Sequence, residues 1–405
     1  MAPGRVLRVS SFLAGRSLTR GNRGVTAMTI AVLLLIYIDL LFVPSLIQGA
    51  VDKINSQVTD TLTSTLQIMP AHGSHDIGDV STYLSQIRST KGVAAAAATY
   101  RVGSEISHAD ESNVWTVDAI DPSSYGQVFR TPFNLAEGSY LAAADTASIF
   151  LGIQIAGMGN QSLRSYATSL KTVHAGDQVT VALINGQNET LRVQGIFNDQ
   201  FLLADQKAYV TQQWASQVLP AMRDRATAIF VKSDGTVPID SLVSKLEPLR
   251  GDVSYHTSAE LVGPINDEVD TFNLINNILR AITLFVALIT VFIVTYVDLV
   301  NRRRQIGIER AIGISPTAVI LSYVYKAVVY ACLGVGLGAV LFLAVAGPFV
   351  ERHPFLFPFG PAALGIRASE MWRDAWILVV VAAISACIPA WRSVRIRILD
   401  ALWST

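Results

Sequence analysis

The sequence predicts an α-helical membrane protein with four transmembrane helices and a large α+β extracytoplasmic domain inserted between helices 1 and 2. Three observations lead there. Hydrophobic residues make up 51% of the 405-residue chain and charged residues only 15%, well below the quarter usual in soluble proteins. Four apolar stretches, Val25 to Ile47, Ala281 to Val300, Ala327 to Val350 and Ala375 to Ala390, are long enough, or nearly so, for a hydrocarbon core that needs about 20 helical residues. Positive charge is placed unevenly between them.

That unevenness fixes orientation, because Lys and Arg stay on the cytoplasmic side of short loops. Arg5, Arg8, Arg16, Arg20 and Arg23 precede the first span; Arg302, Arg303, Arg304 and Arg310 follow the second; Arg392, Arg395 and Arg397 follow the fourth. With four spans all three clusters lie on one side. Arg352, Arg367 and Arg373, after the third span, weaken the bias without reversing it. Both termini are therefore expected in the cytoplasm, in a multi-pass protein of the cell membrane. The first apolar run is unusually long for the core of a cleaved signal peptide.

Along the chain the plan is a cytoplasmic N-terminal segment (1–24), transmembrane helix 1 (25–48), a stalk helix (49–66), the extracytoplasmic domain (67–257), a second stalk helix (258–280), transmembrane helix 2 (281–300), a short cytoplasmic helix (301–316), transmembrane helix 3 with its lead-in (317–350), an extracytoplasmic loop (351–374), transmembrane helix 4 (375–391) and a cytoplasmic tail (392–405). The inserted domain shows strand patterns at Val114 to Ile120, Val179 to Ile184, Leu191 to Phe197 and Ala228 to Val231. Asn185-Gly186 between the second and third is a hairpin turn, since both residues tolerate positive φ. Val80, Leu84 and Ile87 before Gly92, and Leu242, Leu246 and Leu249 before Gly251, repeat a helix-then-strand pattern that hints at a duplicated unit. At the stalks, Val51, Ile54, Val58 and Leu62 and then Leu261, Ile265, Val269, Phe272 and Ile275 recur at helical spacing. Two helices packed by these stripes would carry motion between membrane and outer domain.

The segment "NRRRQIGIERAIGISP", 301–316, places Ile308, Ala311, Ile312 and Ser315 on one helical face and Arg302, Arg303, Glu309 and Arg310 opposite. Such a helix lies along the cytoplasmic surface with its charged face open to a protein partner, or touches lipid head groups. Asp39 stands inside the first span, where an acid is costly and faces protein or water; Arg280 or a partner subunit is its candidate partner. Lys326 is placed to snorkel to the surface, and Gly334 and Gly338 form a small-xxx-small pair suited to close helix packing or a dimer seam.

Several chemistries are absent from the pattern. Cys332 and Cys387 both lie in apolar runs, so they offer neither a disulfide framework nor a CxxC site. "HGSHD", with His72, His75 and Asp76, reads as a loop before a metal site, and none is expected. No HExxH, GxSxG or phosphate-binding GxxxxGK[ST] occurs. The formal charge is zero and the uneven placement of charge informs about orientation rather than about an acidic or basic partner, so no nucleic acid is expected. Asn160-Gln161-Ser162 and Asn188-Glu189-Thr190 fit the glycosylation pattern and decide nothing.

"RRRQIGIERAIGIS" at 302–315, with a proline and basic residues at 389–397 and "LDAL" at 399–402, resembles the FtsX-like permease family, which includes MacB-type exporters and the LolC and LolE permeases. "VDAIDP" at 117–122, "IFLGIQIA" at 149–156 and "VQGIFND" at 193–199 are similar to segments of the Lol-type permeases. The resemblance implies a permease subunit of an ABC transporter with no catalytic site of its own and no bound cofactor, ATP being held by a separate ATPase. It implies export or extraction of a hydrophobic substrate, lipoprotein or peptide, or alternatively regulation of an extracytoplasmic cell-wall hydrolase without transport. The partners it implies are that ATPase, a second copy or related permease, and an extracytoplasmic protein, beside membrane lipids. The ATPase-coupling residues are Arg302, Arg303, Arg304, Gln305, Ile306, Gly307, Ile308, Glu309, Arg310, Ala311, Gly313 and Ser315. Gln305 departs from the family's usual glutamate, and Glu309 supplies a carboxylate one turn later.

Overall fold

The computed structural model describes residues 10, 12, 14–15, 23–71, 73–158, 168–183, 185–261, 263–357 and 360–394, with backbone alone at 23, 263–270, 272–273 and 393–394. Its helices of seven residues or more are α1 (Arg23–Val58), α2 (Val80–Ser89), α3 (Pro122–Val128), α4 (Gln212–Val218), α5 (Ile239–Leu246), α6 (Gly263–Asn301), α7 (Arg303–Ala311), α8 (Pro316–Leu341) and α9 (Ala368–Val394). The strands are β1 (Leu66–Pro70), β2 (Val93–His108), β3 (Glu111–Ile120), β4 (Leu135–Gly138), β5 (Ser148–Gly152), β6 (Gln178–Leu183), β7 (Asn188–Phe197), β8 (Ala208–Thr211), β9 (Ala228–Ser233), β10 (Val253–Thr257), and a small pair, β11 (Phe355–Phe357) and β12 (Gly360–Ala362). The chain divides into a membrane unit, Met1–Val51, Glu268–Phe355 and Ala362–Thr405, and an outer unit, Asp52–Asp267 and Leu356–Pro361.

Among the described residues four helices are long and apolar enough to cross a membrane: Gly24–Thr63, Leu274–Asn301, Pro316–Arg352 and Ala368–Arg392. Leu33, Tyr37 and Leu40 of α1, Ala287 and Val291 of α6, Ala327 and Ala331 of α8, and Leu378, Ala382 and Ala386 of α9 form the core of this unit. Small residues at the contacts let backbones approach, which is how helices gain packing where lipid removes the hydrophobic drive. Gly334 and Gly338 belong to that seam within one chain. A Cβ on Gly334 would sit 2.8 Å from the Leu33 Cβ, and one on Gly338 would sit 3.0 Å from the Tyr37 Cδ1, so the pair is taken up by α1 rather than left for a dimer.

The structure moves several span boundaries. α9 begins at Ala368, ahead of the expected 375, and takes in Glu370, Arg373 and Asp374. These charges end an apolar window, but Asp374 is neutralised inside the bundle by Arg280 Nη2 at 2.9 Å. The Tyr37 hydroxyl donates to the Met371 carbonyl nearby. The third span starts at Pro316 and runs through a π-helical turn, Phe342–Ala346, into a short helix that ends at Arg352.

In the outer unit the strand order β10-β1-β9-β2 is antiparallel throughout, with α2 joining β1 to β2 and α5 joining β9 to β10. This is the ferredoxin-like βαββαβ arrangement, and its two βα halves are the repeat hinted at before Gly92 and Gly251. Between its second and third strands the chain builds a closed ring: β2 pairs β3, β3 pairs β8, β8 pairs β5, β5 pairs β7, β7 pairs β6, and β6 returns to β2 at Ser104↔Leu183. Ile106, Val117, Leu151, Val181 and Val193 fill this barrel. β2 serves both halves. Its alanine run is covered on both faces, Ala96 and Ala98 by the helical layer with Ile87 and Leu242, Ala95 and Ala97 by Phe129 and Phe230; methyl groups fit where longer side chains would overpack.

The first stalk stripe finds a different neighbour from the one expected. After Val58 the helix widens into a π-helical turn, Thr59–Thr63, and Ile54, Val58 and Leu62 pack on Phe201 and Ala204 of the outer unit. The second stripe is helical from Gly263, but its Ile265, Val269 and Phe272 side chains lie outside the described residues. So do the segment 1–9, His72, Asn160-Gln161-Ser162 and the tail 395–405. Asp76 is held by Arg225 at 2.9 Å.

Candidate functional site

The segment after the second span is set by two stops and a node. α6 ends at Asn301, and Arg302 leaves helical geometry before α7 begins. At the far end Gly313 has φ +94°, a left-handed conformation open to glycine. Its N–H bonds the Arg310 carbonyl at 3.1 Å and the Ile314 N–H bonds the Glu309 carbonyl at 3.1 Å. That pair of bonds is a Schellman termination. Ser315 then caps α8 by accepting from the Ala318 N–H, with Pro316 in the first turn. Gly313 and Ser315 are therefore turn-forming residues between α7 and α8.

The node is Asp298, the last acid of α6. It accepts from Arg302 Nε at 3.1 Å and from Lys326 Nζ at 2.6 Å. Lys326 is 8% exposed, so it is a buried partner of Asp298 and does not snorkel. Pairing offsets part of the cost of placing these charges among apolar helices. The signal that singles out Asp39, an acid inside an apolar span, applies equally to Asp298.

α7 rests on the bundle by Ile306, which packs with Leu299, Val319, Tyr323 and Ala390, and by the buried Gly307. Arg303, Glu309 and Arg310 are half-buried, while Arg304, Gln305 and Ala311 are exposed together with Ile308 (49%) and Ile312 (74%). This reverses the expected faces. The wheel placed the arginines outward, but Arg302 is drawn to Asp298 and the flanking side turns toward the bundle. What faces outward is an isoleucine stripe edged by Arg304. Gln305 Nε2 donates to Glu309 Oε1 at 3.1 Å, so the two residues act as a pair. Burial pushes the Glu309 carboxyl up, and the Gln305 hydrogen bond and the Arg302 charge pull against it.

Asp39 does not meet Arg280. The Thr283 hydroxyl donates to Asp39 Oδ2 at 2.8 Å, and Arg280 is engaged by Asp374. A neutral hydroxyl on a neighbouring helix thus serves where a cation was expected. No cluster of three or more metal-ligating side chains occurs among the described residues.

Residues 277–398 match the FtsX-like permease C-terminal family, which takes in the end of α6, α7, α8 and α9. The periplasmic region of MacB from Actinobacillus actinomycetemcomitans aligns with 52% of this chain and 95% of its own, at 14% identity and a TM-score of 0.36. The extracellular domain of the noncanonic ABC-type transporter YknZ from Gram-positive bacteria aligns with 47% of this chain and 99% of its own, at 12% identity and a TM-score of 0.36. A search of curated proteins returns no match. The part of the chain that carries the Asp298 node and the isoleucine stripe is the part that matches the FtsX-like permease C-terminal family.

Proposed function

We propose that this chain is the transmembrane permease subunit of an ABC transporter, and that a separate ATPase docks on the outward face of α7. ATP hydrolysis in that partner drives movements of the outer domain, which export or extract a hydrophobic substrate, lipoprotein or peptide. Both termini and α7 lie on the cytoplasmic side, following the arginine distribution. The chain contributes no ATPase site of its own and works beside a second copy or a related permease.

One observation carries the reading. A nine-residue helix anchored from behind by Ile306 presents Ile308 and Ile312 to the outside, and a small apolar stripe with a basic edge suits a protein groove. The Schellman turn and the Asp298 node hold α7 at fixed angles to α6 and α8, so a push on α7 reaches both spans. The test is co-purification. An Ile308→Asp/Ile312→Asp variant is expected to insert normally and lose its ATPase, whereas retention of the ATPase at wild-type stoichiometry would overturn the docking assignment. Substrate-stimulated hydrolysis in the reconstituted pair separates transport from regulation of an extracytoplasmic hydrolase.

A further inference from the structure

The membrane unit holds a cavity of about 240 Å³ where α1, α6 and α8 meet beside the Asp298 node. Its wall is of two kinds. Leu33, Val291 and Ala327 make an apolar end, while Lys326, Arg302 and Asp298 make a charged one. Among the described lining residues Asp298 is the sole carboxylate and faces two cations, so that lining keeps one positive charge in surplus. Three further groups face the same space. Thr295 is 9% exposed, and its hydroxyl makes no hydrogen bond among the described residues. The Tyr330 hydroxyl meets Thr26 Oγ1 at 2.9 Å. Lys326 Nζ lies 5.6 Å from the centre of the Tyr330 ring, which leaves the ammonium held from two sides, by that ring and by Asp298.

We propose that this cavity is a binding site for the phosphate group of an anionic phospholipid, whose acyl chain lies along the apolar end. The surplus cation matches one phosphate charge. The hydroxyl of Thr295 is a ready donor to a phosphate oxygen, and a basic recess between helices at a membrane border is the place where lipid head groups are held. A soluble phosphate ester would use the charged end alone and leave the apolar end empty. The site is independent of ATPase docking, since none of its lining residues lies on the outward face of α7.

The test uses the full-length protein in nanodiscs of phosphatidylcholine, with and without phosphatidylglycerol, and counts retained lipid by native mass spectrometry after release. The expected result is one phosphatidylglycerol per chain, retained in preference to phosphatidylcholine. Lys326→Gln is expected to weaken that retention about fivefold, the factor that corresponds to ~1 kcal/mol for one basic group. Because Lys326→Gln also disturbs Asp298, Thr295→Leu provides a second variant. It keeps every charge, removes the hydroxyl that would bind the phosphate, narrows the cavity and should release the lipid to a similar extent. Equal retention in the wild type and Thr295→Leu would overturn the site, as would equal retention of the two lipids. A third arm offers glycerol 3-phosphate to the detergent-solubilised protein; displacement of phosphatidylglycerol at comparable concentration would overturn the lipid source in favour of a soluble phosphate.

Discussion

Asp298 and Asp374 each bind two cations at opposite borders of one membrane helix, and they do different work. Arg280, the partner of Asp374, and Asp298 are separated by about 27 Å along α6 at 1.5 Å per residue, close to the ~30 Å of a hydrocarbon core. Asp374 is 2% exposed and ties α6 to α9 through Arg280, with Arg373 at 3.6 Å. Asp298 keeps 19% of its side chain exposed, joins α6, the Arg302 linker and α8, and borders a cavity. The Asp374 carboxylate is buried, with a cavity of only about 50 Å³ on the Arg280 side; Asp298 is a junction with the larger cavity of about 240 Å³ beside it. The comparison teaches that ion pairs at the two borders of a membrane helix need not be equivalent. A sealed pair fixes helices, and an open one can be engaged.

The largest expected effect comes from opening the sealed pair. Arg280→Met leaves Asp374 buried with only the more distant Arg373, and removal of one partner from a buried pair costs ~3–5 kcal/mol. Lys326→Met leaves Asp298 the nearby Arg302 and partial solvent, so its cost should be clearly smaller. Thermal unfolding of the two variants in the same detergent checks the order, and equal losses would break the distinction. Arg280→Met/Asp374→Leu, with both charges gone, should recover much of the loss.

An acid buried without a cation sharpens the same contrast. Asp205, 6% exposed in the outer unit, accepts from the backbone N–H groups of Asp199 at 2.8 Å and Phe201 at 3.2 Å. Burial pushes its carboxyl up to about 7, assisted by the Asp199 charge and opposed by the two N–H groups. The folded value lies above the unfolded one, so between about 4 and 7 the folded state binds the extra proton and stability falls as pH rises. The slope from this group is at most ~1.4 kcal/mol per pH unit. Asp205→Asn should flatten that decline in pH-dependent unfolding of the full chain; an unchanged slope would assign it to another group.

Between the two nodes the helices are held by shape. Gly338→Val would drive a branched side chain against Tyr37 and the Leu34 carbonyl of α1, an overpacking cost of ~1–3 kcal/mol. The same substitution at Gly336, whose Cβ position is open, should be close to neutral. A difference in apparent Tm between the two variants measures the seam itself.

How much of this was readable in the residues depends on whether the cause was local. Apolar runs located all four spans, and the strand runs and the Asn185-Gly186 turn located the hairpin, because periodicity and turn chemistry act over a few residues. Helix ends rich in charge were misplaced: "ASEMWRD" before Ala375 has the composition of a loop, and the nearest cation that makes Asp374 tolerable inside, Arg280, is distant in the chain. The barrel closure through Ser104↔Leu183 joins strands far apart in the chain and leaves no mark in either. At the candidate site, the position of the helix between two spans was plain, while its orientation was not. A wheel shows that α7 has two faces. Which one turns inward was decided by Asp298 and by Ile306 meeting Leu299 and Val319, contacts that no helical spacing encodes.

The smallest expected effect concerns Gln305, beside the open node. Gln305 Nε2 donates to Glu309 Oε1, a bond that a carboxylate at 305 could not make. Gln305→Glu would replace that bond with two like charges one turn apart, a cost of ~0.2–0.5 kcal/mol for such a helical pair. It would also push the Glu309 carboxyl further up. Gln305→Leu removes the hydrogen bond without adding charge, so the difference between the two variants isolates the repulsion. That difference should be visible in thermal unfolding at low ionic strength near pH 7 and should shrink in high salt, because Gln305 is exposed and Glu309 only half-buried. If Gln305→Glu instead stabilised the chain at low salt, Arg302 or Arg304 would have to be reaching across to both acids. The Asp298 node would then be a partner of α7 on its outward edge as well as its inward one.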